Sequence, residues 1–446
     1  MNDNRVLDMT KGSPVRLLLR FTLPLFLGNL LQQLYNLADT SIAGHLLGDN
    51  ALAQIGATAA LYGLITNTAF GLNNGLALTV SRYFGAADWR RMKESVCWMV
   101  ILSGLSAAVM TTGFLIFQDP LLAAMQVPEA LWDGASGYLT IILAGIPLTM
   151  AYNLEASLLQ ALGNSSTPLK FLLFSSVLNI ALDFLFMKPL AMGVRGAATA
   201  TILAQGISAV LGLIYIALHY PQLRFGKKEC RVSTKFVLNM YWTGLSMALM
   251  STVYNIGSVI LQSSINALGN TYIAAQVGAR RLAELFHTPG LALGTGVATY
   301  SSQNFGAGRP ERIKKGIWTA LFLFGIWWVI AMVFAFSSAP GAVRLITGSQ
   351  NEEVIASAVL YLKLSFPIMP PMAVLIILRN ALQGMQHSIS PLLCSALELA
   401  GKVVFAFWFV PVYGYIAVCI CEPVTWVICF LFILGACYMH KAEFRA

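Results

Sequence analysis

Charged residues are scarce in this sequence of 446 residues. Only 11% are Asp, Glu, Lys or Arg, whereas 57% are hydrophobic. Because soluble domains carry about a quarter charged residues, this composition excludes an ordinary soluble protein and indicates a protein of the lipid bilayer. The net charge of +9 suggests nucleic-acid binding at first sight. The positive charges form short clusters between apolar runs, however, where they set membrane orientation, and we predict no nucleic-acid partner.

Motifs of enzymes and of disulfide frameworks are also lacking. The sequence contains no HExxH or GxSxG motif and no phosphate-binding glycine loop, so a membrane-embedded enzyme is the least expected of three function classes. The seven cysteines are odd in number and lie in apolar runs, apart from Cys230 in a basic loop. We therefore predict no disulfide framework, no metal cluster and no cofactor. No cleavable signal peptide is expected before the first apolar segment.

Apolar segments long enough to cross about 30 Å of hydrocarbon occur twelve times, which predicts an all-α integral membrane protein. Internal Gly and Pro residues predict kinks in several of them. We number these segments spans 1 to 12. They cover residues 14–42, 51–82, 95–118, 129–162, 167–187, 193–219, 235–267, 271–303, 313–337, 354–386, 391–410 and 414–439.

Lysine and arginine are concentrated in alternate connections between the spans. With the N-terminus inside, the loops of the opposite side hold only Lys188, Arg195 and Arg344. The positive-inside rule therefore predicts a multi-pass protein of the cell membrane with both termini cytoplasmic. The predicted cytoplasmic clusters include Arg5, Arg16, Arg90, Lys228, Arg312 and Arg445.

The second half of the sequence repeats the first. FGAADWRRMK at 84–93 recurs as FGAGRPERIK at 305–314, and YLTIILAGIP at 138–147 recurs as YLKLSFPIMP at 361–370. The pair Tyr35-Asn36 likewise recurs as Tyr254-Asn255. Two homologous lobes of six helices with the same orientation follow, and a substrate site is expected between such lobes. The predicted domains are an N-lobe at 1–219, a basic linker at 220–234 and a C-lobe at 235–446.

Span 1 carries a polar stripe that ends in a carboxylate. Its members recur at steps of three and four residues, which places them on one helix face: Asn29, Gln32, Gln33, Asn36, Asp39 and Thr40. An ionisable side chain within lipid costs at least roughly 2.5 to 3.5 kcal/mol, so Asp39 is expected to face a cavity and to mark an ion or substrate path. The alternative is a hydrogen bond between helices inside the bundle.

These features resemble the multidrug and toxin extrusion (MATE) family. The resemblance rests on the paired FGA motifs, the YNLAD sequence that ends at Asp39 and the two six-helix halves, and it covers essentially the whole chain. It implies a V-shaped fold of two lobes that exports small organic compounds, often cationic and amphiphilic, in exchange for inward H⁺ or Na⁺. It also implies a protein that needs no cofactor and works among membrane lipids as a monomer.

Within this family the sequence is most similar to the DinF-like branch. In that branch the coupling cation, H⁺ or Na⁺, is held by an aspartate of helix 1, an Asn and an Asp one turn apart on helix 5, and a hydroxyl of helix 6. The pattern falls here on Asp39, Asn179, Asp183 and Thr201, with Thr199 as an alternative hydroxyl. Pro24 matches a proline linked to gating. The NorM-like branch needs carboxylates on helices 7 and 10, where span 7 has none and span 10 carries Lys363 and Arg379.

Further polar residues within the spans are candidates for the cavity wall or for substrate contact. They are Asn29, Gln32, Tyr35, Asn36, Asn153, Ser176, Gln205, Asn255, Gln262, Arg280, Glu284 and His287. The C-lobe charges have two interpretations. Arg280 with Glu284, and Glu398 with Lys402, form internal ion pairs, or Glu284 and His287 belong to a proton path or to the cavity wall. Glu155 and Glu422 are interpreted as structural.

A lipid-linked sugar flippase of the same superfamily is the alternative function. Such a protein is expected to have a more cationic cavity, because it must accommodate a phosphate group. Residues that keep this alternative open are Arg280, Arg281, Arg379 and Lys402. Binding of a lipid headgroup, as opposed to an organic cation, distinguishes the two functions.

Overall fold

The structure is a computed structural model that describes residues 6–444. Within these residues the chain forms helices and no strand. Arg5 and Arg445, which belong to the predicted cytoplasmic clusters, lie outside the described residues. The orientation in the membrane stays a prediction.

From residue 6 onwards, the first half of the chain folds into eight α-helices. They are α1 (Pro14–Leu47), α2 (Asp49–Gly85), α3 (Trp89–Ile116), α4 (Gln118–Ala124), α5 (Glu129–Ala144), α6 (Ile146–Ala161), α7 (Ser166–Met187) and α8 (Val194–His219). The Asp88 side chain caps α3 by accepting a hydrogen bond of 3.0 Å from the Arg91 N–H. Pro147 lies in the first turn of α6 and supplies no backbone donor, so span 4 is broken there with a bend of 48° between α5 and α6.

The second half contains nine further α-helices among the described residues. They are α9 (Thr234–Asn266), α10 (Asn270–Gly306), α11 (Pro310–Ser337), α12 (Ala339–Thr347), α13 (Glu352–Ser365), α14 (Met369–Gly384), α15 (Ile389–Val404), α16 (Val410–Tyr413) and α17 (Tyr415–Met439). A 3-10 turn at Phe366–Ile368 joins α13 to α14, where the chain carries closely spaced prolines. A π-helical turn at Phe405–Phe409 joins α15 to α16.

Each predicted span coincides with one helix or with two or more consecutive helices, which confirms the all-helical prediction. By length and apolar composition, ten helical segments of residues 6–444 qualify as membrane spans, and the bent pair of α5 and α6 makes up to eleven. Of the twelve predicted spans, the one that does not qualify is span 8, which corresponds to α10. Its second half is rich in Gly, Ser and Thr, and its first half carries Arg280, Arg281 and Glu284, so no window of it is apolar enough.

The chain divides into two compact units. One comprises Leu27–Ala248 with the chain up to Leu7, and the other comprises Asp8–Phe26 with Leu249–Ala446. In the first unit, α2, α3, α5 and α6 enclose a core of buried side chains. In the second unit, α10 packs on α14, which packs on α17. The proposed lobes and linker stay a prediction.

Two glycines of α2 allow α9 to approach closely within the first unit. A Cβ atom at Gly71 would lie 2.8 Å from the Met247 carbonyl oxygen, and one at Gly75 would lie 2.6 Å from that of Thr243. Real Cβ atoms do not tolerate such distances from backbone atoms. The absence of a side chain is therefore what brings these two helices together.

The prediction that the cysteines form no disulfide was wrong for one pair. Cys97 of α3 and Cys230 of the loop before α9 form a disulfide, with Cα atoms 5.8 Å apart. The loop folds back against α3, where the indole N–H of Trp98 donates to the Cys230 carbonyl at 3.1 Å. The remaining five cysteines are free.

The segment before α1 is anchored on the end of α10 in the second unit. The Met9 N–H donates to Gln303 at 2.8 Å, and the Asn304 amide donates to the Met9 carbonyl at 3.1 Å. Arg309 donates to the Thr10 carbonyl at 2.7 Å. The repeated FGA region thus holds the segment that leads into α1.

Asp8 belongs to the same segment and lies outside the membrane spans. Burial raises the pKa of its carboxyl, but hydrogen bonds from Thr10 and the charge of Lys11 lower it by more. The net result is a pKa below the ordinary value of Asp.

Candidate cation-coupling site

Two carboxyl groups from α1 and α7 meet inside the first unit. The side chains of Asp39 and Asp183 lie close enough to interact electrostatically, and Asp183 is fully buried. Two ionised carboxylates this close in a low-dielectric site repel each other, so the pair favours a proton or a cation as counter-charge. We call Asp39 and Asp183 the carboxyl pair.

Asn179 connects the carboxyl pair to α8. It lies one turn before Asp183 on α7, and its amide is fully satisfied in one orientation only. In that orientation its nitrogen donates to Asp183 Oδ2 at 2.9 Å and its oxygen accepts from the Thr201 N–H at 3.1 Å. The Thr201 hydroxyl donates to the Ala197 carbonyl of its own helix at 3.1 Å. The four residues that the resemblance assigned to the coupling site therefore lie together.

Three tyrosines surround the carboxyl pair. Tyr35 lines the same cavity as Thr201, and both Tyr35 and Tyr138 interact electrostatically with the two carboxyl groups. Tyr62 interacts with Asp39 in the same way. Sequence reasoning selected Tyr35 but missed Tyr62 and Tyr138. For Tyr138 a signal was present, because it begins the repeated YL motif, whereas Tyr62 has no distinguishing pattern.

A small cavity adjoins this group of residues in the first unit. Its wall includes six residues selected from the sequence and three that were not. The lining residues are Gln32, Tyr35, Tyr152, Leu172, Ser175, Ser176, Asn179, Thr201 and Gln205. The hydroxyl of Thr149 donates to Gln205 at 2.7 Å and so fixes the Gln205 amide. The wall therefore combines hydroxyl and amide groups with aromatic rings.

Two oxygen atoms of the carboxyl pair are left for a ligand. Oδ1 of Asp39 and Oδ1 of Asp183 are buried and have no hydrogen-bond partner within residues 6–444. Buried polar atoms normally have a partner, so unpaired ones need an explanation. Carboxylate, amide and hydroxyl oxygens are the ligands that hard cations prefer. The arrangement can hold a proton or a small cation such as Na⁺.

Other selected residues of the first unit lie outside this group. Asn29 and Asn36 are exposed on α1, where the Gln32 amide donates to Asn36 at 3.2 Å. Asn153 and Thr199 each donate to a carbonyl of their own helix, at 2.9 and 2.8 Å. Thr199 is thus less suited than Thr201 as the site hydroxyl.

Pro24 lies inside α1, which continues on both sides of it. Pro24 belongs to the second unit, whereas α1 from Leu27 onwards belongs to the first. Proline removes one backbone hydrogen-bond donor and hinders straight continuation of the helical hydrogen bonds. The helix is therefore weakened close to the point where α1 passes from the second unit to the first.

The charged residues of the second unit form the ion pairs that the sequence suggested. Arg280 Nε lies 3.2 Å from Glu284 Oε1, and Lys402 Nζ lies 3.4 Å from Glu398 Oε1. Arg379 approaches the same Glu398 at 3.7 Å. Lys402 and Glu398 are almost fully buried, so this pair has little solvent to stabilise it.

His287 and Glu422 lie near these pairs. The His287 ring packs edge-on against Trp426, and its Nε2 is buried without a hydrogen-bond partner in the described chain. Glu422, interpreted from the sequence as structural, accepts a hydrogen bond of 2.6 Å from the Tyr361 hydroxyl. Glu422 also interacts electrostatically with Lys402, Arg280 and His287. It therefore belongs to the charged group rather than standing alone.

The remaining two candidates of the second unit form hydrogen bonds within their own helix. Asn255 donates to the Ser251 carbonyl at 2.9 Å, and Gln262 donates to Asn266 at 2.9 Å. Neither side chain reaches the charged group through these bonds.

One further group of metal-binding side chains lies near the end of the described chain. His387, His440 and Glu443 place three ligand atoms within 4.8 Å of one another. His387 Nε2 already pairs with Glu443 at 2.7 Å, and the two imidazoles stack with centroids 3.9 Å apart. These contacts satisfy the group without a metal ion.

Comparison with known proteins gives the family of the chain. The MatE family model matches residues 24–185 and 246–408, one segment in each half. The chain is 32% identical to the probable multidrug resistance protein YpnP of Bacillus subtilis, over 69% of this chain and 68% of that protein. It is 23% identical to the FAD transporter of Shewanella oneidensis, over 86% of this chain and 85% of that protein.

The fold agrees with that of solved transporters. A crystal structure of a MATE protein in the bent conformation superimposes with a TM-score of 0.90 and 22% identity, and the match covers 100% of both chains. The all-helical membrane fold predicted from the sequence is thereby confirmed. The family match over both halves and the identity to YpnP together show that this chain belongs to the MatE family of multidrug transporters.

Proposed function

We propose that the protein is a secondary active exporter that moves small organic compounds out of the cell in exchange for inward H⁺ or Na⁺, by alternating access. The observation that carries this proposal is the carboxyl pair, whose two acidic groups share one site among apolar helices. A pair of acids in a low-dielectric site needs a proton or a cation as counter-charge. Membership of a multidrug transporter family supports organic compounds as the cargo.

The coupling site comprises Asp39, Asn179, Asp183 and Thr201, in the manner of the DinF-like branch. Its support is the chain of contacts from Asp183 through Asn179 to Thr201, and the two unpaired Oδ1 atoms. Binding of the cation removes the need for a shared proton and changes which neighbours Asp39 prefers. A ligand shifts a conformational equilibrium only through such differential affinity.

Pro24 gives α1 two shapes of similar energy, because it lacks one backbone donor. We assign to it the change of shape that follows cation binding and expels the substrate. Pro24→Ala is expected to leave cation binding nearly intact and to slow exchange.

The experiment that tests the proposal measures ethidium transport in proteoliposomes, with a pH gradient and a Na⁺ gradient imposed separately. The wild-type protein should respond to one gradient, and Asp39→Asn or Asp183→Asn should abolish that response. Asp133→Asn is the matched control, because Asp133 is an exposed acid whose one ion-pair partner among residues 6–444 is Arg195. Wild-type export by either site variant would refute the proposed coupling site.

The proposal also includes location in the cell membrane with both termini cytoplasmic. It further includes two lobes joined at residues 220–234 and function as a monomer. Their support is the charge asymmetry, the internal repeat and the ten apolar helical segments. The flippase alternative requires binding of a lipid headgroup. Performing the ethidium assay with and without such a lipid distinguishes this binding from export.

A second class of substrate has one specific observation in its favour. Cationic side chains lie beside an exposed aromatic ring in the second unit, where Lys402 Nζ is 4.1 Å from the Tyr254 ring centroid. The relative named FAD transporter carries a compound with both aromatic rings and phosphates. Anionic aromatic compounds therefore join organic cations as candidate substrates of this protein.

A further inference from the structure

The internal repeat pairs the coupling site with a corresponding place in the second unit. The offset from Tyr35 to Tyr254 is 219 residues, and the offset from Tyr138 to Tyr361 is 223. The second offset also carries Asn179 to Lys402, and the first carries Asp39 to Ser258. Two tyrosines are thus kept in both halves, while the polar residues around them change.

The balance of charge beside these tyrosines differs between the two units. In the first unit Tyr35 lies beside the carboxyl pair, and the described contacts give it no cationic partner. In the second unit Tyr254 lies beside both signs of charge, with Lys402 and Arg280 as cations and Glu398 and Glu422 as acids. A lysine stands where the first half has a neutral amide, and a serine stands where it has an aspartate. The same scaffold therefore presents acids without cations in the first unit, and cations balanced by acids in the second. We call the place around Tyr254 and Arg280 the Tyr254 site.

The Tyr254 site offers an aromatic surface and a guanidinium group. The Tyr254 residue is 47% exposed, and the Arg280 side chain is 29% exposed. Arg280 uses Nε to pair with Glu284, whereas its Nη1 and Nη2 have no hydrogen-bond partner among residues 6–444. A guanidinium with free N–H groups binds phosphate or carboxylate through parallel hydrogen bonds. An exposed tyrosine ring stacks on another aromatic ring.

Buried groups hold this site in place. Lys402 is almost fully buried behind Tyr254 and pairs with Glu398, which in turn pairs with Arg379. Gly257, one turn after Tyr254 on α9, makes room for it, since a Cβ atom there would lie 2.9 Å from Lys402 Cδ. The position of the lysine is therefore fixed by packing and by ion pairing.

Glu284 is the exposed acid that competes with a ligand for Arg280. Its side chain is 49% exposed, and it reaches Arg280 from one turn along α10. A ligand anion must share or displace this ion pair. Removal of the Glu284 charge is thus expected to strengthen the binding of an anion.

We infer that the second unit contains a binding site for an aromatic compound that carries a phosphate or carboxylate. Arg280 binds the acidic group, Tyr254 stacks on the ring, and Lys402 supplies positive potential from behind. This inference rests on the proposed function, because it names a second substrate class for the exporter. Organic cations are attracted to the carboxyl pair of the first unit, and aromatic anions to Arg280 and Tyr254 of the second.

The test compares two flavins that differ in one phosphate group. Binding of flavin mononucleotide and of riboflavin to the purified full-length protein is measured in neutral detergent, by the quenching of flavin fluorescence. The wild-type protein should bind flavin mononucleotide at least about tenfold more tightly than riboflavin, as expected for a charge-assisted pair. Arg280→Gln should remove this preference, and Glu284→Gln should increase it.

Two further variants serve as controls. Arg281→Gln removes an exposed arginine of the same helix, next to Arg280, and should leave the preference unchanged. Tyr254→Leu should weaken both flavins by a similar factor, since it removes the stacking surface but not the guanidinium. Equal binding of the two flavins to the wild-type protein, or an unchanged preference in Arg280→Gln, would overturn the inference.

The outcome is independent of the coupling mechanism. Binding is measured at equilibrium without a gradient, whereas the proposed function is tested by gradient-driven ethidium transport. If wild-type transport fails while the flavin preference follows Arg280, the proposed function falls and the binding site stands. If Arg280→Gln transports ethidium and also retains the flavin preference, the proposed function stands and the binding site falls.

Discussion

Replacing Lys402 by methionine removes one member of a buried ion pair and leaves the other. Glu398 would keep Arg379 at 3.7 Å but lose its nearer partner at 3.4 Å. Breaking a buried pair from one side costs about 3 to 5 kcal/mol, because the remaining charge is uncompensated. Arg379 offsets part of this cost. The variant also loses the contact of the ammonium group with the Tyr254 ring, which is worth about 0.5 to 2 kcal/mol.

The double variant Lys402→Met with Glu398→Gln separates these contributions. If the penalty of Lys402→Met comes from the unpaired carboxylate, neutralising Glu398 in the same protein should restore most of the lost stability. The coupling energy of a double-mutant cycle measures this directly. We expect the unfolding temperature of the purified protein to be highest for the wild type, lower for the double variant and lowest for Lys402→Met.

An additive cycle would refute this reasoning. Additivity means that Lys402 and Glu398 do not interact, so their 3.4 Å contact would contribute nothing to stability. Gln383→Glu is not a suitable control, because it adds a charge. Lys363→Met is suitable, since Lys363 contacts a phenyl ring but forms no ion pair within the described residues, and it should change the unfolding temperature little.

Three further predictions concern packing, the disulfide and the segment before α1. Gly75→Ala should destabilise the protein by more than about 1 kcal/mol because its Cβ would meet a backbone carbonyl, whereas Gly63→Ala in the same helix has open space and should stabilise it by up to about 1 kcal/mol; thermal unfolding compares the two, and equal shifts would contradict the packing. Cys97→Ser and Cys230→Ser should lower the unfolding temperature equally, with no further loss in the double variant, and alkylation followed by mass spectrometry should find both thiols blocked in the wild type. Because the pKa of Asp8 is lowered, its contribution to anchoring is present near neutral pH and lost as the pH falls through that pKa, so hydrogen exchange of its segment should rise on acidification in the wild type but not in Asp8→Asn.

The spans could be predicted from the sequence because apolar length is a local property. Span 4 shows the limit of this approach. Residues 129–162 form one apolar run in the sequence, and Pro147 predicts a break within it. The bend of 48°, however, depends on how α5 and α6 pack. The Cys97–Cys230 disulfide shows the same limit, since the two residues are 133 positions apart and meet only when the basic loop folds back.

The site was accessible from the sequence only in part. A polar stripe in an apolar helix selects Asp39, and the resemblance selects Asn179, Asp183 and Thr201, which the structure places together. Their role in coupling stays a prediction. Tyr62 was missed because a tyrosine in an apolar helix has the same local pattern whether it faces a cavity or lipid. Glu422 was interpreted as structural, and its partners were not apparent from the sequence because they come from other helices.

The two units differ in whether their charges are balanced without a ligand. Lys402 has Glu398, Arg280 has Glu284, and Glu422 has the Tyr361 hydroxyl and nearby cations, so the second unit needs no external ion to compensate its charges. The carboxyl pair of the first unit has no cationic side chain in contact with it among the described residues. Since an uncompensated charge in a low-dielectric site is costly, the first unit must take up a proton or cation whenever both acids would otherwise ionise. We therefore expect ion coupling to occur in the first unit, whose acidic charges are not compensated. The second unit, whose charges are balanced internally, remains free to select among substrates.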